Sequence, residues 1–211
     1  MVNRSIKIQG TGIVEQTPDT INLFFNVENK DYTYIEATNK VNTRTEELKN
    51  KLQEVDIPKE NLKTTSYNID TSHKFVNGKN IFDGYLCRHD LELELPLDND
   101  IIKKVLSKIV SSGIDVSFSM SFGVKDKETL KNRVLENGVK DALKKAEILS
   151  KAAGVKLGQI ISISHGWNEV RVHSDMNLRM EKMALASASM PDITPRDIKA
   201  SDYVNVEWEI E

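Results

Sequence analysis

The chain has 211 residues, a formal net charge of −3 and a single cysteine, with 39% apolar and 29% charged side chains. That size suits one large domain or two small lobes, and no apolar run approaches the roughly 18 residues of a membrane span. The charge argues against a nucleic-acid binder, since counterion release needs a basic face, and the lone Cys87 excludes an intramolecular disulfide.

The first residues, Met1 to Ser5, lack the apolar core of a secretory signal. The sequence as it stands therefore implies a cytoplasmic protein, or a periplasmic or extracellular one if a leader has been removed. Residues 4–16 carry Ile6, Ile8 and Val14 around Gly10 and Gly12, which predicts a strand that bends or bulges at its glycines. After the turn Thr17-Pro18-Asp19, Ile21, Leu23, Phe25 and Val27 alternate with polar residues, a second strand expected to lie antiparallel to the first. Thr33 and Glu36 form a capping box that opens a helix. Ile35, Thr38, Val41, Thr45, Leu48, Leu52 and Val55 make its apolar stripe, and Ile57-Pro58 stops it.

Residues 61–75 and 81–95 read as two strands joined by the hairpin signal Asn77-Gly78. On the second, Tyr85, Cys87, His89, Leu91, Leu93 and Leu95 share one face. Asp98 caps a second helix that ends near Gly113. Ile114, Val116, Phe118, Met120, Phe122 and Val124 then alternate with small polar residues, Ser117, Ser119 and Ser121 among them. A long helix over 127–153 ends at Gly154, a strand runs from Leu157 to Ile163, and Val204, Val206, Trp208 and Ile210 mark a last strand. The order ββαββ-αβαβ-β predicts a two-layer α+β fold, a largely antiparallel sheet with helices on one face. It is read as one unit over residues 1–211, with sub-lobes roughly at 1–80 and 81–211 sharing a core.

Several segments in this order resemble the SIMPL-domain family. They are Gly10-Thr11-Gly12 followed by Pro18-Asp19, Gly84-Tyr85, Phe122 closing the serine-rich strand, the run from Ala142 through Ala152-Ala153-Gly154 to Gly158, and the end from Ala200 to Glu209. The resemblance covers nearly the whole chain. It implies an α+β fold, no agreed catalytic residues, no cofactor and, in some bacterial members, ring-like or channel-like homo-oligomers. Bacterial members are usually exported and loosely linked to envelope or oxidative stress, and a mammalian member acts in kinase signalling by binding. The chain departs from the pattern in lacking an export signal and in Arg196, which follows Pro195 where glycine often stands.

Individual residues offer little chemistry. Gly10-Thr11-Gly12 lacks the third glycine and the immediate helix of a phosphate loop. The four histidines, His73, His89, His165 and His173, form no metal-ligand pattern. Cys87 and His89 are same-face neighbours on one strand, nearly 7 Å apart by the strand rise, too far for a nucleophile–base pair. His89 is read as a satisfied core or interface histidine. The lysines of the long helix are interspersed with Glu136, Asp141 and Glu147, a solvated mixed face. No catalytic, cofactor-binding or metal-binding residue is assigned. The expected interaction surface is the methionine-rich stretch with Met176, Met180, Met183 and Met190, together with the sheet edges. The expectation is a non-enzymatic homo-oligomer, the alternative a monomeric adaptor for a protein or peptide partner.

Overall fold

A computed structural model describes residues 4–166 and 193–211. The elements follow the predicted order: β1 (Ser5–Gln16), β2 (Thr20–Asp31), α1 (Tyr34–Gln53), β3 (Leu62–Val76), β4 (Lys79–Pro96), α2 (Asn99–Ser111), β5 (Ser117–Gly123), α3 (Lys127–Ala153), β6 (Leu157–His165) and β7 (Ile198–Ile210). Local chemistry sets their ends. The Thr33 hydroxyl accepts the Glu36 N–H at the start of α1, Asp98 accepts the N–H groups of Asp100 and Ile101 at the start of α2, and Asp126 does the same for Thr129 at α3. Gly154 closes α3 in the left-handed conformation at φ 69°.

The α+β class is as expected, but the strands form two sheets. One has the order β1-β7-β6, the other β3-β4-β2-β5. The first two strands are therefore not partners: β1 pairs antiparallel with β7 and β2 with β4. The chain divides into two compact units accordingly. Of the described residues the first comprises 4–18, 123–166 and 195–211, the second 19–122 and 193–194. A division near residue 80 does not occur, because β3 and β4 are one hairpin around Asn77-Gly78, both with positive φ. Each unit packs apolar clusters of its own.

The second unit runs β-α-β-β-α-β, with its helices over one face of the four-stranded sheet. Ile21, Leu23, Phe25 and Val27 of β2 lie opposite Leu95, Leu93, Leu91 and His89 of β4, and all are buried. Against them pack Ala37, Val41, Leu48 and Leu52 of α1 and Ile102, Val105, Leu106 and Ile109 of α2. Period 2 on the strands and period 3.6 on the helices thus meet in one core.

The first unit lays α3 across β1 and β7. Here the β1 glycines have a different role from the expected bulge. The β1–β7 register is unbroken from Ser5–Glu209 to Gln16–Ile198. A Cβ on Gly12 would fall 1.8 Å from the Val134 carbonyl oxygen, and one on Gly10 would fall 2.0 Å from the Gly138 oxygen and 2.7 Å from the Ala142 Cβ. The glycines let a helix backbone rest directly on a strand backbone. Gly138, Ala142 and Ala146 supply the matching small face on α3. Because backbone cannot move aside as a side-chain tip can, Gly12→Ala is expected to lower stability by about 3 kcal/mol, near the upper end for overpacking. Gly78→Ala, beside open space, should lose less, about 1 kcal/mol from its positive φ alone. Urea denaturation of the two variants checks both values.

Candidate interaction surface

Close seating of α3 on β1 has a second effect, at the outer edge of that strand. The Lys145 ammonium donates to the Gln9 carbonyl at 3.2 Å, the Thr11 N–H donates to Asp141 Oδ2 at 2.7 Å, and the Asn137 amide donates to the Ile13 carbonyl at 3.0 Å. Arg133 continues the series to the Gln16 side chain at 3.1 Å. Four helical residues rise about 6 Å and two strand residues about 6.6 Å. Side chains at i, i+4 on α3 therefore keep step with alternate residues of β1. Lys145 and then the Thr11 N–H hold the Asp141 carboxyl below its usual range, so the ladder is charged at neutral pH. The β1 edge is occupied by its own helix.

The opposite edge of this sheet is different. β6 pairs with β7 on one side, and among the described residues no strand pairs with its other side. From Leu157 to His165 it carries no Asp, Glu, Lys, Arg or Pro, the residues that normally blunt an edge. Register shifts at Leu157/Ile160 and Ile160/Ser162 place Ile160 and Ile163 opposite Trp208 and Val206, on the side that α3 covers elsewhere. The helix reaches β6 only marginally. Ile160, Ile161 and Ile163 are thus 50%, 46% and 55% exposed, and Leu143 of α3 is also exposed.

The outer face of the same sheet is polar. Lys7, Gln9, Ser162, Ser164, Asn205 and Glu207 line a shallow groove of about 320 Å³. Its side chains are bonded to one another: Glu207 accepts from Ser5 at 2.7 Å and pairs with Lys7 at 3.4 Å, and Gln9 donates to Asn205 at 3.4 Å.

Met176, Met180, Met183 and Met190 lie outside the described residues, so that expected surface is not placed. Cys87 and His89 are both buried under α1. Both His89 ring nitrogens are engaged, Nδ1 with the Thr45 hydroxyl at 3.0 Å and Nε2 with the Thr64 hydroxyl at 2.8 Å. The imidazole ties α1 to β3 and β4. Tyr67 meets it edge-on, with ring centroids 5.0 Å apart, and donates to Asn42 Oδ1 at 3.1 Å. Desolvation, and then the Cys87 thiol beside it, push the Tyr67 phenol up to about 12. It is a neutral hydrogen-bond donor at physiological pH.

One polar pair escaped sequence reasoning. Asp202 is buried and accepts from His165 Nε2 at 2.7 Å and from the Tyr203 N–H at 2.7 Å. A signal was available, because Asp202 stands two residues before Val204, in the inward register of β7. A buried acid there needs a partner, and His165 supplies it from β6. Among the described residues, no group of three or more His, Cys, Asp or Glu side chains could hold a metal ion. No described helix is long and apolar enough to cross a membrane.

Residues 6–208 match the model of the family named SIMPL, described as "Protein of unknown function (DUF541)". Among curated proteins the chain is similar to "Uncharacterized protein YggE" of Escherichia coli strain K12, at 23% identity over 208 residues, covering 98% of this chain and 83% of the relative. The proteins of the same title from Escherichia coli O157:H7 and Shigella flexneri match to the same extent.

Burial, and then Lys49, depress the His89 pKa below its ordinary value, and Asp90 offsets this in part. A folded-state pKa below the unfolded value means that folding favours the neutral ring. Its stabilisation is complete above the unfolded value of about 6.5 and is lost as pH falls through the lower folded value. The urea midpoint should therefore fall on acidification below about pH 6.5, and His89→Gln should flatten that part of the profile. An identical slope in the variant would place the effect elsewhere.

Proposed function

Since the chain belongs to the SIMPL family, we propose that it is a non-enzymatic protein that forms homo-oligomers, with the β6 edge as the joining surface. The observation that carries this reading is the contrast between the two edges of one sheet. β1 is closed by the α3 ladder, whereas β6 has no strand on its other side among the described residues, carries no Asp, Glu, Lys or Arg and holds three half-exposed isoleucines. Natural proteins blunt such edges or use them.

The preferred occupant is a second copy. A strand without charges opposes no like charges when it pairs with itself in antiparallel fashion, and a two-fold contact uses the same patch twice. Burying the remaining half of an isoleucine contributes about 1 kcal/mol. Ile160, Ile161 and Ile163 from two copies together give about 6 kcal/mol, within the cost of association of roughly 4–15 kcal/mol. Apolar contact alone is therefore marginal, and the strand-to-strand hydrogen bonds decide the outcome. The link to envelope or oxidative stress rests on the family resemblance. An extended peptide could occupy the same edge, which is how the chain would act as a monomeric adaptor.

Native mass measurement tests the proposal. The protein should show a mass above one chain at micromolar concentration. Ile161→Lys, which puts a charge on the edge, should shift it to the monomer while leaving the melting temperature within a few degrees. A wild-type protein that stays monomeric up to near-millimolar concentration would sink the homo-oligomer and favour the adaptor. An assembly that survives Ile161→Lys would move the contact away from β6.

A further inference from the structure

β4 is longer than the strand beside it. Its pairing with β2 ends at Tyr85, opposite Asp31, while its pairing with β3 continues to Val76–Lys79. Gly84 marks the departure point, with φ 104° and room for no Cβ, since one would lie 2.5 Å from the Asp31 carbonyl oxygen. Beyond it β3 and β4 form a two-stranded arm. Asn77 and Gly78 close the arm with φ 50° and 77°, the signs of a type I′ turn.

The end of this arm is apolar and basic together. Phe75 is 74% exposed, more than any other large hydrophobic side chain described, and Val76, Ile81 and Phe82 are also exposed. From Thr71 to Phe82 the sequence holds Lys74 and Lys79 and no Asp or Glu, although the whole chain carries a net charge of −3. The acid at the base of the arm, Asp83, is bound by Lys30 and, at 3.1 Å, by Lys74.

Strand geometry narrows the choice of partner. Phe75 and Val76 are consecutive, so they leave opposite faces of the arm. One flat protein surface can cover one face but not both. A layer entered tip-first covers both. Penetration of about 5–10 Å into the boundary between headgroups and acyl chains corresponds to two or three residues of each strand. That depth submerges Phe75, Val76 and the turn. Lys74, paired with Ile81, then stands at headgroup level, whereas Lys79, paired with Val76, starts two residues closer to the tip. The apolar stem of Lys79 can lie along the submerged part while its ammonium climbs to phosphate, and Lys74, held at 3.1 Å from Asp83 on the surface of the arm, exchanges that carboxylate for phosphate there.

We infer that the tip of the β3–β4 arm is a peripheral membrane contact that inserts Phe75 and Val76 into a bilayer carrying anionic headgroups and holds it with Lys74 and Lys79. This contact is independent of the β6 edge. The test is co-sedimentation of the full chain with vesicles of phosphatidylcholine, with and without phosphatidylglycerol.

The wild type should sediment with the anionic vesicles and much less with the neutral ones. The double variant Phe75→Ser/Val76→Ser should lose at least about tenfold in bound fraction. Lys74→Gln/Lys79→Gln should lose roughly fivefold per lysine on anionic vesicles only. Inorganic phosphate should not compete, because it offers no acyl layer for the tip. Both pairs of side chains are exposed, so circular dichroism and melting should be unchanged and loss of binding cannot be blamed on unfolding. Absence of sedimentation above the neutral-vesicle level overturns the inference, as does full binding by Phe75→Ser/Val76→Ser. If that variant instead lowers the native mass of the assembly, the tip docks on a second copy and the lipid contact is rejected.

Discussion

The direct seating of α3 on β1 governs the first unit. Two glycines on the strand, and a glycine and two alanines on the helix, allow main chain to approach main chain. At that distance ordinary polar side chains at i, i+4 reach the strand's outer hydrogen-bonding groups, so a packing device becomes an edge-sealing device. The same placement ties the helix to β1 and β7 and leaves the inner side of β6 largely uncovered. The sealed edge and the exposed isoleucines are consequences of one close approach.

The second unit is organised differently. Its core is an ordinary apolar layer between two helices and a four-stranded sheet, crossed by one polar link. His89 replaces an apolar side chain in the row that continues through Leu91, Leu93 and Leu95, and two threonines on different elements satisfy it. Such a link costs burial of a polar ring and in return specifies how α1 lies against β3 and β4. Tyr67, which donates to Asn42, and the Cys87 thiol complete a small polar region beside it.

Much of this was legible in the sequence because its signals are local. The Thr33 and Asp98 caps, the Asn77-Gly78 turn and the extent of α3 each depend on a few neighbouring residues. The sheet partners were not legible. β1 pairs with β7 nearly the whole chain away, and alternation shows that a strand has an inner face without saying what lies beside it. Gly10 and Gly12 illustrate the same limit, since a bulge and a close backbone approach call for the same residue. The exposure of the β6 isoleucines was not legible, because it depends on how far α3 extends sideways, which no local pattern encodes. Asp202 was legible in principle, as a charge in an inward register. The polar filling of His89 followed from its place among apolar neighbours, but its threonine partners lie on other elements.

The sealed β1 edge also limits how the first unit's sheet can grow. A sheet open at both sides can add copies without end, which is the geometry of a fibre. Among the described residues β6 is the unsealed edge of this sheet, and a two-fold pairing there would consume that edge of both copies. The product of the proposed pairing would be a continuous six-stranded sheet ended on each side by a helix, a closed object that could not propagate. Any assembly larger than two would need a second, different contact. In the proposed assembly the four side chains on one face of α3 would act as a chain terminator, though none of them lies on β6.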